Sequence, residues 1–182
     1  LYDPDDPSPT IGGQTLLGNH SHGPHWQDDV IARGDGAVYA SAPLTEPLSI
    51  AGPVTVTLRI TTTGLDTDFA ARLTMVNPEG HHLLIGEGIR RLKLRDTYAT
   101  PSEVTPNTQY TIEIPLTNDA GFTYLPGDKI GLIITSANYP RFDINPNTGD
   151  DFYTNAVVPI TATNTLHPVS YTHLTLPTTR HV

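Results

Sequence analysis

Residues 125–149 read LPGDKIGLIITSANYPRFDINPNTG, and this stretch decides the fold. Pro126-Gly127-Asp128 is turn chemistry: proline presets φ, glycine tolerates positive φ, and the aspartate bonds to nearby backbone. Lys129 to Thr135 then run apolar on both faces. A strand with no solvent side belongs in the middle of a sheet packed between layers. The following segment, Ser136 to Gly149, is polar but holds two aromatics, one Arg, one Asp, three Asn and two Pro, more rigid and hydrogen-bonding groups than a plain connector uses. Two readings compete. In one, Pro140, Pro146 and the Asn side chains brace a wide crossover between two sheets. In the other, Tyr139, Arg141 and Phe142 face a partner domain or a ligand cleft. Tyr139-Pro140 is a candidate cis bond, and Asn138 and Asp143 are expected to hold the turn from within. On the second reading, at least one of Arg141 and Phe142 is exposed in this chain and covered in a longer protein.

Working outward, the period-2 signal recurs. Val38 to Ser41 is a short strand. Pro53 to Thr61 sets Val54, Val56, Leu58 and Ile60 against Thr55, Thr57, Arg59 and Thr61, a half-buried antiparallel strand. After a turn at Asp66-Thr67-Asp68, Phe69, Ala71, Leu73 and Met75 are expected to face the core and Arg72 and Thr74 to face out. Asn77-Pro78-Glu79-Gly80 closes that unit as a type I turn. Leu83 to Arg95 is read as a further strand or pair. Its Leu92 and Leu94 point inward, Arg91, Lys93 and Arg95 outward, and Gly86 and Gly88 mark a bulge. Tyr110, Ile112 and Ile114 make one more strand. About eight short strands joined by turns predict an all-β fold, an antiparallel β-sandwich of the jelly-roll type.

Composition agrees. Seventeen Pro and fifteen Gly are spread along 182 residues, which disfavours long helices. The length suits one well-buried domain. Ten Lys and Arg against nineteen Asp and Glu leave a net charge of -9, so nucleic acid and anionic membrane are poor partners. Zero Cys excludes disulfides and thiol chemistry and leaves the compartment open. The chain starts at Leu1 and not Met, which reads as an excised piece. Residues 1–18, with Asp3, Asp5 and Asp6 among Pro4, Pro7 and Pro9, read as an extended linker from an upstream domain, 19–168 as the sandwich, and 169–182 as a last strand or a non-native tail.

Asn19 to Trp26, NHSHGPHW, is the one metal-like stretch, since His20, His22 and His25 are close enough to share an ion. A Gly-Pro loop without accompanying carboxylates favours a surface histidine cluster instead, so no metal and no cofactor are expected. Ser21 in GNHSHG misses the G-x-S-x-G spacing of a nucleophile elbow and lacks its strand-turn-helix context. The basic residues of 91–95 lack a glycine-rich loop for phosphate.

The segments GDGAVYASAPL (34–44), DTDFAARL (66–73), GIRRLKLRDTYATPSEVTPNTQYTIEIPL (88–116) and 125–149 together resemble the C-terminal β-sandwich domain of the CocE/NonD hydrolases, a group of esterases, α-amino-acid ester hydrolases and Xaa-Pro dipeptidyl-peptidases. The similarity runs in one order from about Tyr2 to Leu176. It implies a galactose-binding-like jelly roll following an α/β-hydrolase domain, with the Ser, Asp and His of the triad all upstream and none in this chain. It departs from the family at Gly23-Pro24-His25-Trp26-Gln27-Asp28, where GP-x-DQR is usual and only Gln27 matches, and in lacking the family's Trp between Ile114 and Leu125. The function implied is that of an accessory domain of an ester or Xaa-Pro hydrolase, whose partner is the upstream catalytic domain. The alternative is an autonomous jelly-roll module binding carbohydrate or another ligand, which would want exposed aromatics in a row.

Overall fold

The computed structural model describes residues 1–15, 18–117, 120–150 and 157–167, and the backbone of residues 174–175. Among these are ten strands and one short helix. They are α1 (Asp28–Ala32), β1 (Ala37–Ala40), β2 (Leu48–Gly52), β3 (Thr55–Thr62), β4 (Asp68–Val76), β5 (His82–Arg91), β6 (Tyr110–Pro115), β7 (Ala120–Tyr124), β8 (Lys129–Thr135), β9 (Asn164–His167) and β10 (Leu174–Thr175). Every strand pairing is antiparallel. One sheet has the order β1-β8-β4-β5. A second is built on β3, with β6 on one edge and β9 and β10 along the other, and β2 pairs with β7 in a two-stranded ribbon.

The sheets close on one apolar core. Val56, Leu58, Ile60, Ile112 and Ile114 from the β3 sheet meet Phe69, Ala71, Leu73, Leu132 and Ile134 from the other. Each of these side chains larger than alanine contributes about 1.5–3 kcal/mol by leaving water. β8, the strand read as buried on both faces, lies between β1 and β4, and Gly131 to Thr135 are buried without a break. Gly86 does mark a bulge: the register slips between Leu73 and Thr74, where Gly86 pairs with Leu73 and Leu84 with Thr74, leaving Ile85 unpaired. Gly88 has a different reason, because a β-carbon there would stand 2.3 Å from the Pro115 carbonyl oxygen. The segment after Arg91 is not strand. Residues Leu92–Leu94 form a 3-10 turn that buries Leu92.

Two expectations are corrected. Arg72 and Thr74, read as outward, are 1% and 0% exposed. That side of β4 is outward from the core, but Arg72 is roofed by the N-terminal segment and the loop after β8, and Thr74 is held against His82. The second correction is that segment itself, read as a solvated linker. Tyr2 is buried and exchanges backbone hydrogen bonds with Ala162, and Thr10 N–H reaches the Tyr139 carbonyl at 2.7 Å. Residues 2–13 are a strap across the sandwich. The prolines that suggested a linker suit a strap equally, since an extended chain keeps its amides free for partners on another element.

Candidate docking face and its buried polar frame

The loop after β8 is built on side chains rather than on regular backbone. Asn138 is 1% exposed and sits at its start. Its carbonyl oxygen accepts from Thr10 Oγ1 at 2.8 Å and from Arg72 Nη2 at 3.0 Å, and its amide nitrogen donates to Glu87 Oε2 at 2.6 Å. Arg72 also donates to Thr135 Oγ1 at 2.8 Å and to the Pro9 carbonyl at 2.9 Å. Burial pushes the Arg72 guanidinium down to about 10, opposed by the Glu87 carboxylate directly across the β4–β5 ladder. Glu87 Oε1 accepts from the Arg141 guanidinium and from the Gln14 backbone N–H. Gly13 must be glycine: its φ is +78°, and a β-carbon would lie 1.9 Å from Glu87 Oε1. Thus β4, β5, the strap and the loop share one desolvated network, and each buried charge in it is paired or hydrogen-bonded.

This geometry places the three sequence candidates differently. Arg141 turns inward, its side chain 12% exposed, and closes the Glu87 network. Phe142 is half-buried, its ring 5.2 Å from the Arg141 guanidinium carbon. The expectation that one of these two stands exposed is therefore corrected: both are partly buried, because Glu87 supplies a buried counter-charge that sequence spacing did not reveal. Tyr139 is 44% exposed on a backbone pinned at both sides, its N–H to the Ser8 carbonyl and its carbonyl to Thr10. The Tyr139-Pro140 bond is cis. Asp143, expected to hold the turn, faces solvent.

A second polar cluster holds the far end of the loop. Asn145 Nδ2 donates to Asp68 Oδ1 at 2.9 Å and to Asp66 Oδ2 at 3.2 Å. Asp66 is also held by Arg91 and by the Lys93 backbone N–H. Asp68, buried beside that carboxylate, is pushed up to about 7, chiefly by desolvation. Asn147, at φ +64°, takes a backbone bond from Leu65, and Lys93 Nζ donates to the Gly149 carbonyl. The basic residues of 91–95 are thus tied to the fold: Arg95 lies 4.4 Å from the Tyr110 ring centroid and donates to the Glu103 carbonyl.

His20, His22 and His25 are not brought to one point. The His22 ring bonds the Thr15 carbonyl, and among the described residues no group of three or more His, Cys, Asp or Glu is placed to hold a metal ion. Trp26 is 48% exposed and meets His81 edge-on at 6.0 Å, not a row of aromatics. Glu87 and Arg72, the centre of the network, were missed from the sequence. The available signal was an acid between two glycines and an Arg on the same predicted outer face, a pair that an uncovered sheet would not need.

What these features define is an antiparallel sandwich whose polar groups are spent on holding its own strap and crossover loop, leaving Tyr139 on display. Residues 3–173 match the X-Pro dipeptidyl-peptidase C-terminal non-catalytic domain, and the chain belongs to that family. It is 33% identical over 180 residues to the cocaine esterase of Rhodococcus sp. (strain MB1 Bresler), covering 97% of this chain and 31% of that protein. It is also 34% identical over 124 residues to a putative serine esterase, Mb1866c, of Mycobacterium bovis, covering 59% of this chain and 20% of that one. Among solved structures, a selenomethionine-labelled α-amino acid ester hydrolase superposes with a TM-score of 0.86 at 27% identity, over 97% of this chain and 31% of that one. An aminopeptidase from a marine-sediment Thaumarchaeota archaeon gives 0.75 at 25% identity, over 91% and 30%. The chain spans less than a third of the length of these relatives. The CocE/NonD resemblance read from the residues is borne out.

Proposed function

We propose that this chain is the accessory C-terminal sandwich of a serine hydrolase acting on esters or Xaa-Pro peptides, packing on an α/β-hydrolase domain of the same polypeptide and helping to wall its substrate cleft. The observation that carries the reading is the match to a non-catalytic C-terminal domain over residues 3–173, by a chain that covers 31% of a cocaine esterase. The polar chemistry supports it: among the described residues no serine is hydrogen-bonded to a histidine, the first link a Ser-His-Asp relay needs. Tyr139, an aromatic on a rigid loop, is the group offered to the partner, with Arg141 and Phe142 as its support.

The test is a pair of assays. The chain alone is expected not to turn over activated esters or Xaa-Pro anilides, and steady turnover abolished by one Ser→Ala change would overturn the reading. In the full-length polypeptide, Tyr139→Ala is expected to weaken domain docking and lower kcat/KM by at least roughly tenfold, the weight of an interface anchor. Unchanged kinetics and docking would remove Tyr139 from the contact.

A further inference from the structure

One side of the sandwich is open. Among the described residues, β1 is an edge strand paired with β8 alone, and β9 is an edge strand of the opposite sheet paired with β3 alone. Between them lies a groove of about 370 Å³ that reaches down to Phe69 and Ile134 of the core and is rimmed by Tyr39, Leu166 and Leu1. Successive residues of a strand face opposite ways, yet both Val38 (40%) and Tyr39 (45%) are exposed, so neither face of β1 is fully covered there. The Ser41 N–H bonds the Ile130 carbonyl, and the ladder pairs Tyr39 with Leu132. Alternation then directs the backbone N–H and C=O of Val38 and Ala40 away from β8, toward whatever lies beside the edge.

A bare, apolar edge strand is a template for another strand, and proteins ordinarily cover or charge it. Here the charge at the rim is already engaged, since Asp35 Oδ2 takes Arg33 Nε at 2.8 Å, which leaves the groove itself to receive an apolar group. Leu1, 76% exposed, stands at the same rim, and the chain, which matches a C-terminal domain, covers 31% of the cocaine esterase. Any residue joined to the Leu1 amino end therefore starts at this groove.

Resting on the function proposed above, we infer that the β1 edge and its groove are the docking surface for an extended segment of the hydrolase domain preceding Leu1, which adds to the sheet beside β1. The segment places an apolar side chain in the groove that reaches Phe69 and Ile134. Main-chain bonds to Val38 and Ala40 give affinity, and the apolar groove gives register.

The experiment uses the full-length polypeptide with one thiol at a time introduced by Tyr39→Cys, Tyr139→Cys or Leu125→Cys, reacted with a maleimide and read by peptide mapping. This chain has no native cysteine, so its labelled peptides report only the introduced thiol. Cys at position 39 is expected to react roughly 100-fold more slowly than at position 125, since it reacts only on local opening. Adding Val38→Pro, which removes an outward N–H but no bond to β8, is expected to restore its rate while position 125 stays unchanged. Protection at 39 that Val38→Pro does not relieve overturns the strand pairing. Protection at 39 that vanishes on dilution assigns the edge to a second copy and overturns the inference. Protection at 139 alone overturns it too but leaves the accessory-domain reading standing. Free reaction at all three positions overturns both.

Discussion

Asn138 and Glu87 lie 51 positions apart and meet through a 2.6 Å hydrogen bond in the buried outer layer of the sandwich. That bond commits Asn138 as a donor to the carboxylate, and its carbonyl is thereby left to receive Thr10 and Arg72. One amide so orients three chain segments, and removing any member strands the others in a place water does not reach.

Breaking this network is expected to cost the sandwich itself, not an interface. Glu87→Ala leaves the Arg141 guanidinium without its ion-pair partner and takes a favourable charge from beside Arg72, and loss of one partner of a buried pair costs about 3–5 kcal/mol. Arg141→Ala leaves Glu87 with its two remaining donors and is expected to cost less. Denaturant midpoints of this chain and of the full-length polypeptide check both variants. Equal losses in the two settings place Arg141 in the scaffold, whereas a loss seen only in the longer protein would return it to the interface.

Gly13 and Gly23 share a φ of +78° but differ in surroundings. A methyl at Gly13 collides with Glu87, and one at Gly23 meets nothing within 4 Å. Gly23→Ala is expected to cost about 1 kcal/mol, the backbone penalty alone. Gly13→Ala adds the collision, a further 1–3 kcal/mol or about that for an overpacked site. Thermal denaturation of both variants measures the difference, and equal shifts would mean that the strap lifts away from Glu87 at little cost.

Stability is expected to fall as pH rises through the range set by Asp68. In the unfolded chain this carboxyl ionises near its ordinary 3.8; in the fold it holds its proton to about 7. Between those values the native state binds the extra proton, so its contribution is full below about pH 4 and is lost as pH climbs to 7. The slope from this group is at most about 1.4 kcal/mol per pH unit. Asp68→Asn, which keeps an acceptor for Asn145, is expected to flatten the pH dependence of the melting temperature between 5 and 7. An identical profile in the variant would show that Asp68 is ionised in the fold.

Zinc is expected to leave the melting temperature nearly unchanged, since His22 is engaged with Thr15 and its neighbours do not converge with it. A stoichiometric upward shift abolished by His22→Ala would contradict this.

The strands visible in the sequence were those whose own residues carry the signal. β8 declared itself by an unbroken apolar run, β3 and β6 by alternation, and the β4–β5 bulge by Gly86. β2 and β7 did not, because LSIAG and AGFTY are short, contain glycine and gain their shape by pairing with each other. The five-residue helix α1 has no side-chain cap to announce it. Alternation could place Arg72 away from the core but could not say that a strap and a loop roof that side. For the same reason the inward turn of Arg141 was hidden: its partner, Glu87, is fixed by the register of β5 on β4, a long-range fact. The tail at 169–182 lies outside the described residues except for β10, which pairs with Thr55 and Val56.

The strap makes residues 2–13 and the loop after β8 a single heritable unit. Gly13 leaves room for Glu87, Thr10 answers Asn138, and Pro9 offers its carbonyl to Arg72, so drift in one segment is legible only against the other. A grafting experiment that moved the 136–149 loop onto another sandwich would carry over a lid without its latch, and a domain boundary drawn at Gly18 would discard the latch outright.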